Sequence, residues 1–376
     1  MLVMLDLGTA FDTVNHNILL TRLNEELGIC GLALEWFRLY LSKRGQRVSI
    51  DGSLLERFSL ECGVPQGSCL GPLLFLTYAS KLFRVVEDQL PHVHCYADDT
   101  QIYLSFKPIS NISQEDAVRA MECCIEKITR RWLIHDRLLL NDDKTEFIII
   151  GTRQQLKKLQ AMNIKVGGSV IKPRSQVKNL GSWFDPNLNR RHDITNVCKA
   201  GFFYLHIIRR IEKYLSRDSL LTLVHAFITN RLDYCNALLY GLPKEQIFKL
   251  QRVQNAAARL IMDIGKYSHI TPALYELHWL PMLAGIHFKI LLLAFKAIHG
   301  LTPEYICNLL VIKRKSSYNL RSNSGILLEP PRGNMLATLG ERAFQAAAPH
   351  LWNELPLQLR TIGSVENFKN SIKTSF

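Results

Sequence analysis

The chain has 376 residues, of which 47% are hydrophobic, so a sizeable core is expected and wholesale disorder is excluded. The longest purely apolar run, residues 290–295, is far shorter than the ~20 residues of a membrane span. No secretory signal is visible, because Asp6 interrupts the first apolar run. Net charge is −5 over residues 1–150 and +18 over residues 151–376, a division that predicts nucleic-acid binding by the second half.

The first 150 residues alternate strand and helix patterns. Short apolar runs predict a strand over residues 1–7, a hairpin around Asp51-Gly52, a second hairpin around residues 97–99 and a strand at 147–150. Helices are predicted over 17–27, 32–41, 68–86 and 118–132, with Ser68 capping the third. This order predicts an α+β fold in which helices cover one face of an antiparallel sheet.

From about residue 190 onwards the pattern is mainly helical. Helices are predicted over 194–215, 217–230, 244–264 and 286–299, with a short one near 343–351. We therefore divide the chain into residues 1–190, a helical region at 191–310, and a C-terminal region at 311–376 whose role is unknown.

The cysteines form no CxxC pair, and no Cys/His set has zinc-finger spacing. They are interpreted as reduced, mostly buried thiols of an intracellular protein, located in the nucleus, the cytoplasm or both. The nine are Cys30, Cys62, Cys69, Cys95, Cys123, Cys124, Cys198, Cys235 and Cys307.

Three aspartates are the candidate catalytic residues. Asp6 ends the first apolar run, and Asp98 and Asp99 lie in a tight turn between two strand-like runs. Adjacent carboxylates repel each other unless a cation neutralises them, and Mg²⁺ prefers oxygen ligands. A third carboxylate from a neighbouring strand would complete a clamp for two ions about 3.5–4 Å apart. An isolated Asp-Asp pair is most often a solvated turn, so the surrounding residues decide its interpretation.

Those surrounding residues form five blocks that resemble, in the same order, the conserved blocks of reverse transcriptases. The blocks are LDLGTAFD at residues 5–12, GVPQGS and LGPLLF at 63–75, YADD at 96–99, Leu140-Asn141 with Lys144-Thr145, and Asn179-Leu180-Gly181 with Phe184. The downstream stretches RLDYCN at 231–236, LQRVQN at 250–255 and LHWLP at 277–281 make the chain most similar to the LINE-type, or non-LTR, retrotransposon enzymes.

This resemblance implies a right-hand polymerase palm, then a mainly helical thumb and the C-terminal region, with the fingers and the endonuclease missing. Asp6, Asp98 and Asp99 would be catalytic, and together with Leu7 they would hold two Mg²⁺ ions, for which Mn²⁺ can substitute. The implied partners are an RNA template, a DNA primer and deoxynucleoside triphosphates. Without fingers, we expect an N-terminally truncated chain with weak or no polymerase activity by itself.

The resemblance also implies roles for five substrate-binding residues. The ring of Phe11 would lie under the sugar and exclude a 2′-hydroxyl, Gln66 and Gly67 would contact the nucleotide, Lys144 would approach the triphosphate, and Tyr96 would pack beside the primer terminus. Structural alternatives remain open: Phe11 and Tyr96 could be core aromatics, Gln66 a turn residue and Lys144 a solvated lysine.

Nucleic-acid contacts are predicted on the helical half. At about 100° per residue, Lys249, Arg252 and Arg259 share one arc of their helix, opposite an apolar arc. Arg209 and Arg210 add positive charge nearby. The alternative is an ordinary solvated helix face. The apolar arc consists of Leu250, Val253, Ala257, Leu260 and Ile261.

Three other functional interpretations remain open. An RNA-dependent RNA polymerase shares the palm but usually has a carboxylate where Phe11 stands. An intron maturase shares the YADD block. A non-catalytic, nucleic-acid-binding relic of a retrotransposon would keep the fold with idle carboxylates.

Overall fold

The computed structural model describes residues 1–108, 111–313, 325–331 and 339–375, with only the backbone at 111 and 112. The chain forms two compact units. The first comprises Met1–Gly181 and Asp185–Asn187, and the second Ser182–Phe184 and Leu188–Phe376. The mixed helix and sheet composition that the sequence predicts is confirmed, whereas the boundaries at 190 and 310 stay predictions.

A four-stranded antiparallel sheet forms the centre of the first unit. Its strands lie in the spatial order Glu146–Ile148, Leu2–Leu5, Asp99–Tyr103 and His92–Tyr96. One face is buried because side chains alternate along each strand. The buried side chains on this face are Val3, Leu5, Ile102 and Phe147.

Helices cover the buried face of this sheet and complete one hydrophobic core. They are His16–Glu25, Gly31–Leu41, Gly71–Ala79, Lys81–Val86 and Asn111–Ile128, with a π turn at Thr129–Leu133. A short helix at Arg153–Leu156 and a 3-10 turn at Asp142–Lys144 contribute no buried residue to this core. The single helix predicted over 68–86 is wrong in two respects. It begins at Gly71, whose N–H still bonds to Ser68 Oγ at 3.0 Å, and it divides at Ser80.

Short strands supplement the main sheet. The strands Ser49–Ile50 and Ser53–Leu54 pair across Asp51-Gly52, as predicted. Both turn residues have positive φ, at 49° and 82°, which two-residue hairpin turns favour. The remaining strands of this unit are Leu7–Gly8, Gly45–Gln46, Phe58–Ser59, Leu139–Leu140, Ile164–Val166, Ser169–Ile171 and Val177–Asn179.

The second unit is mainly helical, as predicted. Its helices are Arg191–Ile211, Arg217–Val224, Asn230–Asp233, Lys244–Met262, Thr271–Glu276, Met282–Ile298, Glu304–Cys307, Phe344–Glu354, Leu357–Arg360 and Val365–Ser375. Tighter or wider turns occupy Glu212–Tyr214, His225–Thr229 and Asn236–Leu239, and strands occupy Ser182–Phe184, Val311–Ile312 and Leu328–Glu329. Phe295 stacks on Phe368, with ring centroids 4.2 Å apart, so the last helix shares the core of this unit.

The prediction that the cysteines are mostly buried is wrong. All nine are free thiols, but four are exposed and only Cys124 is fully buried. Burial, and then the neighbouring Cys123, raise the pKa of Cys124 to about 11.

Across the described residues, every helix is too short or too polar to cross a bilayer.

Candidate active site

The three predicted catalytic carboxylates come from the centre of the four-stranded sheet. Asp6 follows the first strand, and Asp99 begins the strand beside it. Because Leu5 pairs with Thr100, the adjoining residues Asp6 and Asp99 lie side by side. Asp98 belongs to the turn that immediately precedes Asp99. The sheet therefore brings together aspartates that are separated by more than ninety residues of sequence.

The turn that carries Asp98 is tight. Tyr96 pairs with Asp99 across it, so Ala97 and Asp98 alone connect the two strands. Ala97 has a φ of 55°, in the left-handed region that such turns need. Tyr96 is 68% exposed, which excludes its interpretation as a core aromatic. Its predicted place beside a primer terminus stays a prediction.

The carboxylates interact electrostatically. Burial raises the pKa of Asp99 above the ordinary aspartate value, and the charges of Asp98 and Asp6 raise it further. A divalent cation with oxygen ligands would offset this repulsion, so the donor chemistry fits Mg²⁺. In the parts of the chain that the structure describes, however, no three His, Cys, Asp or Glu side chains converge on one metal position. The aspartates are adjacent and coupled, but their side chains do not form a closed ligand set.

Leu7, the fourth predicted metal ligand, continues the chain from Asp6. Its side chain is buried, and it pairs with Leu140 of the fourth block. Asn141 in that block donates its N–H to the carbonyl of Asp6 at 2.9 Å. The first and fourth blocks are thus joined by backbone hydrogen bonds, which fix the chain direction on both sides of Asp6.

A cavity of about 220 Å³ is lined by Asp6 and Asp99. Two lysines also line it: Lys144, from the 3-10 turn, and Lys178, from the strand Val177–Asn179. An ammonium group is a compact point charge that suits phosphate oxygens. Lys144 therefore lies where its predicted contact with a triphosphate is possible. Lys178 was missed, because a lysine beside the fifth block has no distinguishing pattern in sequence.

The segment that carries Lys178 is attached to the sheet by specific bonds. Gln101 Nε2 donates to Asn179 Oδ1 at 2.9 Å. Arg174 donates to a carboxylate oxygen of Glu146 at 2.7 Å. These contacts hold Lys178 close to the face of the sheet that carries Asp6 and Asp99 and account for its place in the cavity.

The sheet register explains why that attachment reaches the aspartates. Gln101 and Glu146 both pair with Met4, so the three residues form one row across the sheet. Asp6 and Asp99 occupy the next row on the same face, because side chains alternate along a strand. The face opposite the hydrophobic core therefore carries the polar groups of the site.

Phe11 is half-buried and stacks on Phe75, with ring centroids 4.7 Å apart and an interplanar angle of 28°. Phe75 is fully buried in the second block. The Phe11 carbonyl also accepts the N–H of Val64 at 2.8 Å. The stacking contact fixes the ring, and the hydrogen bond fixes the backbone that carries it. A rigid barrier under a sugar requires such support, although that role stays a prediction.

The Gly-rich loop of the second block lies against the first block. Gln66 is exposed and donates from Nε2 to both carboxylate oxygens of Asp12, at 3.2 and 3.3 Å. Gly67 is exposed with a φ of 78°, and Gly63 has a φ of 85°. A Cβ at Gly63 would lie 2.9 Å from the Asp12 carbonyl oxygen, so the close approach requires glycine. Sequence reasoning gave Gln66 a nucleotide contact but missed its partner within the protein, Asp12.

In the second unit, the predicted apolar arc of the helix Lys244–Met262 is confirmed, because all five of its residues are buried. Lys249 and Arg252 are exposed, and their charges act on the thiol of Cys198 in the helix Arg191–Ile211. The two cations therefore lie along the boundary between these two helices.

Arg209 and Arg210 are exposed in the last turn of Arg191–Ile211, where positive charge also suits the helix dipole. The same helix exposes the rings of Phe202 and Phe203, by 43% and 60%. Aromatic side chains beside cations are typical of nucleic-acid surfaces. Sequence reasoning missed these two rings.

Two other cations have structural partners. Arg259 is half-buried and donates to the Ser268 carbonyl at 3.3 Å, so part of its donor capacity is used locally. Arg190, counted with the basic residues of this half, is only 2% exposed and pairs with Asp193 at 2.9 Å. Arg190 is therefore a structural residue of the second unit.

Residues 1–184 match the family described as reverse transcriptase (RNA-dependent DNA polymerase). This part of the chain is therefore a reverse transcriptase domain, the class of protein that the carboxylate site and the five blocks indicated.

Its relatives include enzymes of Drosophila melanogaster transposable elements. The chain is 26% identical over 285 residues to a probable RNA-directed DNA polymerase from transposon BS, a match that covers 70% of this chain and 29% of that protein. It is 26% identical over 201 residues to the RNA-directed DNA polymerase from mobile element jockey, covering 52% of this chain and 21% of the relative. These relatives confirm the resemblance to LINE-type reverse transcriptases. The chain spans less than a third of their length.

The chain also matches a solved structure of telomerase from Candida albicans in complex with a TWJ fragment of telomeric RNA. The match covers 77% of this chain and 46% of the telomerase chain. The sequence identity is 13% and the TM-score 0.32. A likeness this slight supports no argument about fold or function.

Proposed function

We propose that this chain is the polymerase core of a non-LTR retrotransposon reverse transcriptase and adds deoxynucleotides to the 3′-hydroxyl of a DNA primer on an RNA template. The observation that carries the proposal is the cluster of Asp6, Asp98 and Asp99, which the sheet register brings together. The charges of Asp6 and Asp98 contribute to the raised pKa of Asp99. In this reading the first unit is the palm and the helices of the second unit include the thumb.

Asp6, Leu7, Asp98 and Asp99 would hold two Mg²⁺ ions, or Mn²⁺ in their place. When bound, such ions activate the attacking hydroxyl and stabilise the leaving pyrophosphate. The residues of the chain set the geometry, since the strand pairing places Asp6 beside Asp99 on the face opposite the core. Lys144 lines the same cavity and would neutralise charge on the triphosphate.

Phe11 would select deoxynucleotides. Its ring is held against Phe75 and cannot move aside without losing that stacking contact. A 2′-hydroxyl would then meet a fixed aromatic surface. This arrangement favours a DNA product over the RNA product of an RNA-dependent RNA polymerase.

The second unit would bind template and primer through phosphate contacts. Lys249, Arg252, Arg209 and Arg210 are exposed on two packed helices. Exposed cations attract the phosphate backbone without reading sequence. Arg259 contributes less in this proposal, because it already donates to Ser268.

The proposal is tested by primer extension on poly(rA)/oligo(dT) with Mg²⁺. We expect extension that Asp98→Asn reduces by about 10²- to 10³-fold, since a lost metal ligand removes several kcal/mol of transition-state stabilisation. Asp88→Asn is the matched control, because Asp88 is an exposed aspartate outside the site. It should extend like the wild type.

Other outcomes separate the alternatives. Template–primer binding without extension by the wild type would contradict the catalytic proposal and support the non-catalytic relic. Preferential use of ribonucleotides would support an RNA-dependent RNA polymerase. The rate of extension by the wild type also tests the expectation of weak or no activity.

A further inference from the structure

The loop that carries Gln66 is tied to the segment after the first catalytic aspartate. The N–H groups of Gly63 and Val64 donate to the carbonyls of Val14 and Phe11, each at 2.8 Å. Gly63 allows this approach because it has no Cβ to meet the Asp12 backbone. The side chains of Asp12 and Gln66 are therefore held within reach by backbone contacts rather than by chance.

The chemistry of the Asp12–Gln66 contact fixes which end of the amide faces the carboxylate. An ionised carboxylate only accepts hydrogen bonds, whereas an amide has a donor end, Nε2, and an acceptor end, Oε1. Gln66 Nε2 lies 3.2 and 3.3 Å from the two Asp12 oxygens, so it faces both. Oε1 must then point away from Asp12.

We propose that Asp12 is a positioning residue that orients the Gln66 amide so that its acceptor oxygen faces the incoming nucleotide. This inference rests on the proposed function, in which Gln66 contacts the nucleotide. Phosphate oxygens are themselves acceptors at neutral pH, so they cannot donate to Oε1. Through Oε1, Gln66 can therefore recognise only a donor, a hydroxyl or amine of the sugar or base.

The test measures nucleotide binding without turnover. The full chain is bound to a primer–template whose primer ends in a dideoxynucleotide, and the dissociation constant of the next complementary dNTP is measured. Asp12→Asn should raise this constant about three- to tenfold, the effect of one net hydrogen bond, because Asn can donate as well as accept and lets the amide turn over. Asp12→Glu keeps an acceptor-only carboxylate and should bind closer to the wild type.

The pairing is tested with Gln66→Leu and with the double variant Asp12→Asn/Gln66→Leu. Because Asp12 acts through Gln66, the double variant should bind no more weakly than Gln66→Leu alone. Asp88→Asn, a loss of one exposed carboxylate elsewhere in the unit, should leave the constant unchanged.

Two results would overturn the inference while leaving the proposed function intact. One is weakening by Gln66→Leu but not by Asp12→Asn. The other is a double variant whose losses multiply. No weakening by Gln66→Leu would instead contradict the nucleotide contact itself, and with it the inference.

Discussion

Asp99 is the residue at which burial and like charge act together. Its pKa is raised first by burial and then by Asp98 and Asp6. A raised native-state pKa means that the folded protein holds the proton more tightly than the unfolded chain does. Ionisation of Asp99 therefore destabilises the fold. The loss of stability grows as the pH rises from the ordinary aspartate pKa through the raised pKa of Asp99.

We therefore expect Asp99→Asn to raise the melting temperature at neutral pH in a metal chelator. The gain should vanish below the ordinary aspartate pKa, where the wild-type carboxyl is protonated in both states. Thermal unfolding at both pH values measures this. Mg²⁺ should stabilise the wild type more than the variant, because only the wild type keeps all three carboxylates. An unchanged or lower neutral-pH melting temperature would contradict the prediction.

Cys123 and Cys124 are adjacent in the chain but opposite in exposure. Cys123 is exposed, whereas Cys124 is buried with a pKa of about 11. The thiolate is the reactive form, so the raised pKa and the burial of Cys124 together predict alkylation about tenfold or more slower there than at the exposed Cys123. Native-state alkylation followed by peptide mass spectrometry compares the two sites, with Cys123 as the internal control. Equal rates would show that this helix face is open to solvent.

At the scale of secondary structure, the helix Arg191–Ile211 packs against the helix Lys244–Met262 at a glycine, Gly201. Gly201 is buried, and a Cβ there would lie 2.6 Å from Val253 Cγ1. Glycine inside a helix costs roughly 1 kcal/mol relative to alanine. The close approach of the two helices is the structural reason why this position holds glycine.

Gly201→Ala should therefore destabilise the protein by about 1–3 kcal/mol, the usual cost of overpacking, despite its better helix propensity. Val253→Ala removes the opposing methyl groups and leaves a cavity. The double variant should lose less stability than the two single changes added together, by at least about 1 kcal/mol. Urea unfolding of the four proteins measures this coupling. Additive losses would argue against direct contact.

At the scale of the whole molecule, net charge divides differently between the two compact units than between residues 1–150 and 151–376. Residues 151–181 contain seven Lys and Arg and no Asp or Glu, yet they belong to the first unit. That unit therefore has a net charge of +1, and the second unit, with 24 Lys and Arg against 12 Asp and Glu, has +12. Positive charge is concentrated in the helical unit, while Lys178 lines the cavity beside Asp6 and Asp99.

This division predicts strongly salt-dependent binding of template–primer duplex. Neutralising Lys249 and Arg252 together, as Lys249→Gln/Arg252→Gln, should lower the slope of log affinity against log salt by roughly two, one for each lost phosphate contact. The control Lys369→Gln/Lys373→Gln removes the same charge from the helix Val365–Ser375. Its slope should match the wild type. An affinity that barely changes with salt would contradict the proposed role of this unit.

The amino-acid sequence alone determined the features that depend on local pattern. Periodicity predicted the long helices and the buried arc of Lys244–Met262, and turn chemistry predicted the hairpin at Asp51-Gly52. The five ordered blocks also identified the family and named the three aspartates. These features could be predicted because helix periodicity, turn residues and block order are properties of neighbouring residues.

Only the tertiary structure decided the rest, because those features depend on residues far apart in the chain. Strand register placed Asp6 beside Asp99, and the attachment of a distant segment brought Lys178 to their cavity. The hydrogen bond between Gln66 and Asp12 likewise forms only because Gly63 lets the two loops pack closely together. The break at Ser80 and the exposure of four of the nine cysteines were mispredicted for the same reason: packing against other elements, rather than local sequence, sets burial and helix ends.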